Sequence, residues 1–155
     1  MKLVALFGSS LVPFSLALAQ AKSSTPDFTA KFRQVVDAVQ RRDTVTLGRI
    51  YADRYTFTIG GGDSVTTLTR ADRLRSIAAD PDSISKLNLE RCDFDLFGAT
   101  SVGHCWIRQQ NIQGRQSEWV GIYTTVVFNR SQAGRWQIVA SHASVNRPKR
   151  RATSP

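Results

Sequence analysis

Cys92-Asp93-Phe94-Asp95-Leu96-Phe97-Gly98-Ala99-Thr100-Ser101-Val102-Gly103-His104-Cys105 is the stretch on which the fold turns. Gly98-Ala99 puts glycine first between two strand-like runs, which suits a two-residue type II′ hairpin. That register opposes Phe97 to Thr100, Leu96 to Ser101 and, counting outward, Cys92 to Cys105. Alternation from a hydrogen-bonded 97/100 pair makes 92/105 a non-hydrogen-bonded pair. The α-carbons of such a pair approach to about 4.5 Å, near the short end of the disulfide range. A bridge between Cys92 and Cys105 is therefore expected in an oxidising compartment, with two buried free thiols as the alternative. A zinc site with His104 and His142 fits poorly, because His104 and Cys105 are strand neighbours and point to opposite faces. The same register sets His104 opposite Asp93, read as a surface ion pair.

Strand material continues on both sides of the hairpin. Ile84 to Phe97, Val102 to Ile112, Trp119 to Phe128 and Trp136 to Val145 form a meander. Its turns fall at Gly98-Ala99, Gln113-Gly114 and Gln132-Ala133-Gly134. Upstream, Tyr55-Thr56-Phe57-Thr58-Ile59 reads as a strand, Gly60-Gly61-Gly62-Asp63 as a hairpin turn, and Val65 to Leu68 as its partner. The glycine triplet lacks the following helix and the Lys-Ser/Thr pair of a phosphate-binding loop.

Three helices precede or interrupt these strands. Thr25 is the expected N-cap of the first, with Pro26 at its first position and Asp27 favourable to the dipole. Phe28, Phe32, Val35, Val36 and Val39 then share one stripe. Asp43 caps a second helix with Leu47, Ile50 and Tyr51 on its apolar side. Thr69 and Asp72 form an approximate capping box for a third helix, which carries Leu74 and Ile77 and ends at Asp80-Pro81-Asp82. Helices first and a meander last make the class α+β, with helices on one face of a curved antiparallel sheet.

The termini read differently. Lys2 followed by the apolar run Leu3 to Leu18, broken by Pro13, is a signal peptide over 1–21, cleaved after Ala19 or Ala21. It is too short and too interrupted for a stable membrane anchor. The chain is thus expected to be exported, periplasmic or secreted. About 130 residues remain, enough for one core; the domain is placed at 25–146 and a basic, solvated tail at 147–155. The net charge is +9, which favours attraction to anions without naming a partner. Basic residues are scattered and no RNA-stacking motif accompanies them, so no nucleic-acid partner is expected.

Leu47-Gly48-Arg49-Ile50-Tyr51-Ala52-Asp53-Arg54-Tyr55-Thr56-Phe57-Thr58 resembles the entry to the nuclear-transport-factor-2-like superfamily, and within it the SnoaL-like group related to ketosteroid isomerases. Tyr123-Thr124-Thr125-Val126-Val127-Phe128-Asn129-Arg130 and Gly134-Arg135-Trp136-Gln137-Ile138-Val139-Ala140-Ser141-His142-Ala143-Ser144 are similar to its last strands, and Leu68-Thr69-Arg70 to its third helix entry. The resemblance runs from Phe28 to about Val145. It implies a cone-shaped roll in which the helices close a strongly bent sheet around an apolar pocket. It also implies a homodimer through the outer sheet face. Since that fold carries many functions, chemistry must be argued from the site.

With Trp136 pointing inward, alternation sends Ile138, Ala140, His142 and Ser144 the same way. His142 is then a pocket acid or base, or else a hydrogen-bonded core histidine. Asp53 and Tyr55 are the other catalytic candidates. Related isomerases abstract a proton with a pocket carboxylate, although Asp53 is equally readable as a surface residue and Arg54 replaces a second acid. Asp93 and Asp95 share a face opposite Cys92, Phe94 and Leu96 and should meet solvent. Tyr51, Tyr55, Phe57, Phe94, Trp136 and His142 are the expected pocket residues. Trp106, Trp119 and Tyr123 belong to the pocket or the dimer face. Asn129-Arg130-Ser131 fits a glycosylation sequon. No activated nucleophile, metal spacing or nucleotide motif is seen, so neither metal nor cofactor is expected. The expected function is binding of a small hydrophobic molecule. The alternatives are a cofactor-free isomerase, dehydratase or cyclase using His142 with Asp53 or Tyr55, and a structural dimerisation module.

Overall fold

A computed structural model describes residues 26–61, 64–79, 84–113 and 116–146. The expected signal segment over 1–21 and the expected basic tail over 147–155 lie outside them. Three helices pack on one curved, unclosed sheet of six strands: α1 (Phe28–Gln40), α2 (Thr44–Ile50), β1 (Tyr51–Gly61), β2 (Ser64–Thr69), α3 (Arg70–Ala79), β3 (Ile84–Phe97), β4 (Thr100–Gln113), β5 (Gln116–Arg130) and β6 (Trp136–Asn146).

Helix α1 forms because Phe28, Phe32, Val35 and Val36 recur at helical spacing and are all buried; each such side chain contributes roughly 1.5–3 kcal/mol when withdrawn from water. Its cap is Asp27, whose carboxylate accepts from the Ala30 N–H at 2.9 Å. The expected Thr25 cap is thus displaced by two residues, and Pro26 lies outside the helix. Asp43 caps α2, and Thr69 and Asp72 exchange side-chain and backbone bonds at the start of α3. Tyr51 does not end α2's apolar face as expected but opens β1.

Strand order is β2-β1-β6-β5-β4-β3. The pairs are antiparallel except β1–β6, which run parallel, so the sheet is mixed rather than purely antiparallel. The long chain path between β1 and β6 frees their mutual direction from the constraint of a tight hairpin.

The 92–105 hairpin has the expected register. Phe97 faces Thr100, Gly98 takes φ +60°, and Cys92 faces Cys105. The two cysteines form a disulfide with α-carbons 4.2 Å apart. Asp93 does face His104, but its carboxylate pairs with Arg91 at 3.3 Å rather than with the histidine.

On β1 and β6, two irregularities set which side chains face the helices. On β6, Phe128 pairs with Ile138 but Val127 pairs with Ala140, leaving Val139 as an extra residue. On β1, Tyr51 pairs with Ile138 and Thr56 with Ala140, so three extra residues bulge between them. Each extra residue interrupts the two-residue alternation and re-aims the side chains beyond it.

Candidate functional site

Between α1 and the inner sheet face lies a cavity of about 280 Å³. Phe32, Val35, Val36 and Val39 of α1 form one wall, and Leu87, Ile107 and Ile122 belong to the facing strands. Tyr51, Tyr55 and Phe57 line it from β1. The polar groups at its surface are few: the two tyrosines, Arg73, Gln109, Thr124 and Ser141. The space is just below the usual ligand-pocket range of about 300–1,000 Å³, and its walls are mostly apolar, as in such pockets.

The bulges built this lining. Past Val139, Ser141 and Ala143 turn inward while Ala140, His142 and Ser144 turn out. His142 is exposed on the outer face, beside Gly60. It pairs with Thr125 and Thr58, away from the cavity, so the expected pocket histidine is corrected. The bulge of β1 likewise throws the Asp53 side chain out to 99% exposure, with Arg70 at 4.0 Å. Tyr51 and Tyr55, four positions apart, are thereby stacked face to face, with ring centroids 4.0 Å apart.

Phe94 and Trp136 also leave the expected set. Both pack on Phe28, at 5.6 and 4.9 Å between ring centroids, and close the core away from the cavity. Of the six expected pocket residues, Tyr51, Tyr55 and Phe57 line the cavity. Asp53, Tyr55 and His142 do not converge.

Arg73, Ser141, Thr124 and Gln109 were not anticipated. For Ser141 the sequence offers apolar residues on both phases, Ile138 on one and Val139, Ala143 and Val145 on the other, a pattern that accommodates a phase change without specifying one. Arg73 gives no such sign, since its role depends on how α3 crosses β1.

The tyrosine hydroxyls are the cavity's central polar groups. Tyr55 and Ser141 hydroxyls lie 2.6 Å apart. Burial pushes the Tyr55 hydroxyl well above the usual phenol range, aided by the neighbouring Tyr51, and burial likewise raises Tyr51 against the pull of Arg73. Both therefore stay protonated at neutral pH, as hydrogen-bond donors rather than bases. Among the described residues, no acidic side chain lines this cavity and no cluster of three His, Cys, Asp or Glu could hold a metal.

The outer sheet face is aromatic. The Trp106 ring lies over Gly121, where a β-carbon would come 2.4 Å from it. Tyr123, 45% exposed, sits beside Trp106 and His104, and Arg108 covers Trp119 at 4.9 Å. Asp93 and Asp95 are exposed, as their strand phase requires. Among the described residues no helix is long and apolar enough to cross a membrane.

No protein-family model matches the sequence, and no curated protein matches it significantly. Solved structures do. A nuclear-transport-factor-2-like protein of unknown function in nutrient uptake from Rhodospirillum rubrum superposes with a TM-score of 0.64 at 18% identity, covering 79% of this chain and 100% of that one. A proposed dehydratase of the same fold family from Streptomyces avermitilis gives 0.60 at 21% identity, covering 78% and 94%. The CaMKII hub of S. rosetta gives 0.65 at 14%, covering 77% and 94%. At such identities the likeness establishes the nuclear-transport-factor-2-like fold.

Proposed function

We propose that this chain, with its nuclear-transport-factor-2-like fold, is an exported protein that holds a small, largely apolar molecule between α1 and the sheet, and that it pairs with a second copy through the outer sheet face. The observation that carries the reading is the cavity, walled by aliphatic and aromatic side chains and fitted with a few converging polar groups. Apolar walls supply affinity by burial, and the hydroxyls fix orientation.

Export is supported by the leader read in the sequence and by the Cys92–Cys105 disulfide, a bond suited to an oxidising compartment. The pairing is supported by the exposed Tyr123 beside the half-buried Trp106, residue types that anchor interfaces, and one structural neighbour is itself a CaMKII hub. The isomerase, dehydratase or cyclase reading keeps Tyr55 in the cavity but not His142, nor Asp53, whose side chain is exposed.

Native mass spectrometry of the exported protein tests this directly. A cleaved, oxidised dimer that releases a small molecule on denaturation is expected; an uncleaved, ligand-free monomer would contradict it.

A further inference from the structure

Arg73 is the single charged side chain among the described residues lining the cavity. Its guanidinium lies over the Phe57 ring, 4.1 Å from the centroid, and acts on the Tyr51 hydroxyl. Its Nε is shut off from solvent and has no hydrogen-bond partner among the described residues. None of the ion pairs formed by the described residues includes it; those pair Arg70, Arg75 and Arg91 with Asp53, Asp72 and Asp93.

An arginine cannot shed its proton to escape such a site. Withdrawing a donor of a permanently charged group from water without a partner is costly, and the cost is recovered when an acceptor arrives. The Phe57 ring offsets part of it and holds the guanidinium plane in place. A partly desolvated, oriented cation beside a phenol donor is the recognition element for an anionic oxygen pair. Everything else in the wall is uncharged, and most of it is hydrocarbon.

We propose that the cavity's ligand is an amphipathic acid, an apolar body with a single carboxylate, whose anionic end is bound by Arg73 with help from the Tyr51 hydroxyl. This deepens the small-molecule reading above and rests on it. The tyrosine pair and the α1 valines take the body, and Arg73 selects the head. The net charge, +9 over the full sequence with Lys2 of the leader included, stays strongly positive without it and adds a long-range attraction for such acids.

Displacement of the neutral fluorescent probe N-phenyl-1-naphthylamine from the full mature protein separates the two claims. Decanoate and decan-1-ol present the same chain with and without the charge. The wild type is expected to bind decanoate about tenfold or more tightly than the alcohol, the gain of one charge-assisted contact. Arg73→Met should abolish that preference, bringing the ratio of acid to alcohol affinity to about one. Arg73→Lys, which keeps the charge but not the fork, should retain part of it. Equal affinity for acid and alcohol in the wild type overturns the proposal without needing any variant, and leaves the apolar-cavity reading standing. A preference that survives in Arg73→Met overturns it as well. If the probe and both decyl compounds fail to bind, the cavity reading itself falls.

Discussion

The hydroxyl of Tyr55 lies 2.6 Å from that of Ser141, and both line the cavity. The contact exists because Val139 is an extra residue on β6, which turns Ser141 inward and His142 outward. Tyr55→Phe should cost about 1 kcal/mol, the usual net worth of such a bond plus the stranded serine hydroxyl. Ser141→Ala should cost a similar amount, and the double variant less than the sum of the two. Urea denaturation of the four proteins measures the cycle. His142→Ala, on the exposed face, should stay within about 0.5 kcal/mol of the wild type.

The disulfide spans a sequence separation of 13. Closing a loop of that length stabilises by about 3 kcal/mol in the chain-entropy account. Cys92→Ala with Cys105→Ala should lower the urea midpoint accordingly, and dithiothreitol should move the wild type the same way while leaving the double variant unmoved.

Acid sensitivity should be traceable to a helix cap. Hydrogen bonds from the Thr46 hydroxyl at 2.6 Å and the Thr46 N–H at 2.9 Å hold the Asp43 carboxyl below its ordinary range. A depressed folded-state value means the contribution is complete above the unfolded value, about 3.9, and fades as pH falls through the folded one. Asp72 is lowered in the same way by Thr69. Asp43→Asn, which can still cap but does not titrate, should be less stable than the wild type at pH 7. It should lose less stability on going to pH 3, as read from thermal midpoints at both values.

The outer face should carry self-association. Tyr123→Asp places a charge beside Trp106 and His104, and Gly121→Val drives a side chain into the Trp106 ring. Light scattering after size exclusion should find the wild type as a dimer and both variants as monomers with unchanged circular dichroism. A wild type that is monomeric at micromolar concentration removes the pairing proposal.

The strands, the hairpin register, the cystine and two of the three caps were legible because each rests on local chemistry. Gly98-Ala99 fixes a turn, and counting from it reaches Cys92 and Cys105 without further information. Phe28 to Val36 display their stripe in plain order. The site was less legible because bulges are not local in that sense. Tyr51 and Tyr55 were both expected in the pocket, yet Asp53 between them could be excluded only by knowing that β1 gains three residues against β6. His142 failed for the same reason: strict alternation from Trp136 was assumed where Val139 breaks it. Phe94 and Trp136 were rightly read as inward, but inward meant the packed core around Phe28 rather than the open space. Arg73 depends on the crossing of α3 over Phe57, which no pattern within α3 specifies.

The central claim is that the space between α1 and the sheet is a binding site. Titration of N-phenyl-1-naphthylamine into the wild type and into Ala143→Phe tests it most directly. Ala143 is 3% exposed and lines the cavity, so a phenyl group there projects into the space and leaves the surface unaltered. The wild type should bind one probe per chain with saturable fluorescence enhancement, and the folded variant should show none. Equal enhancement in both proteins, or none in either, would contradict the account.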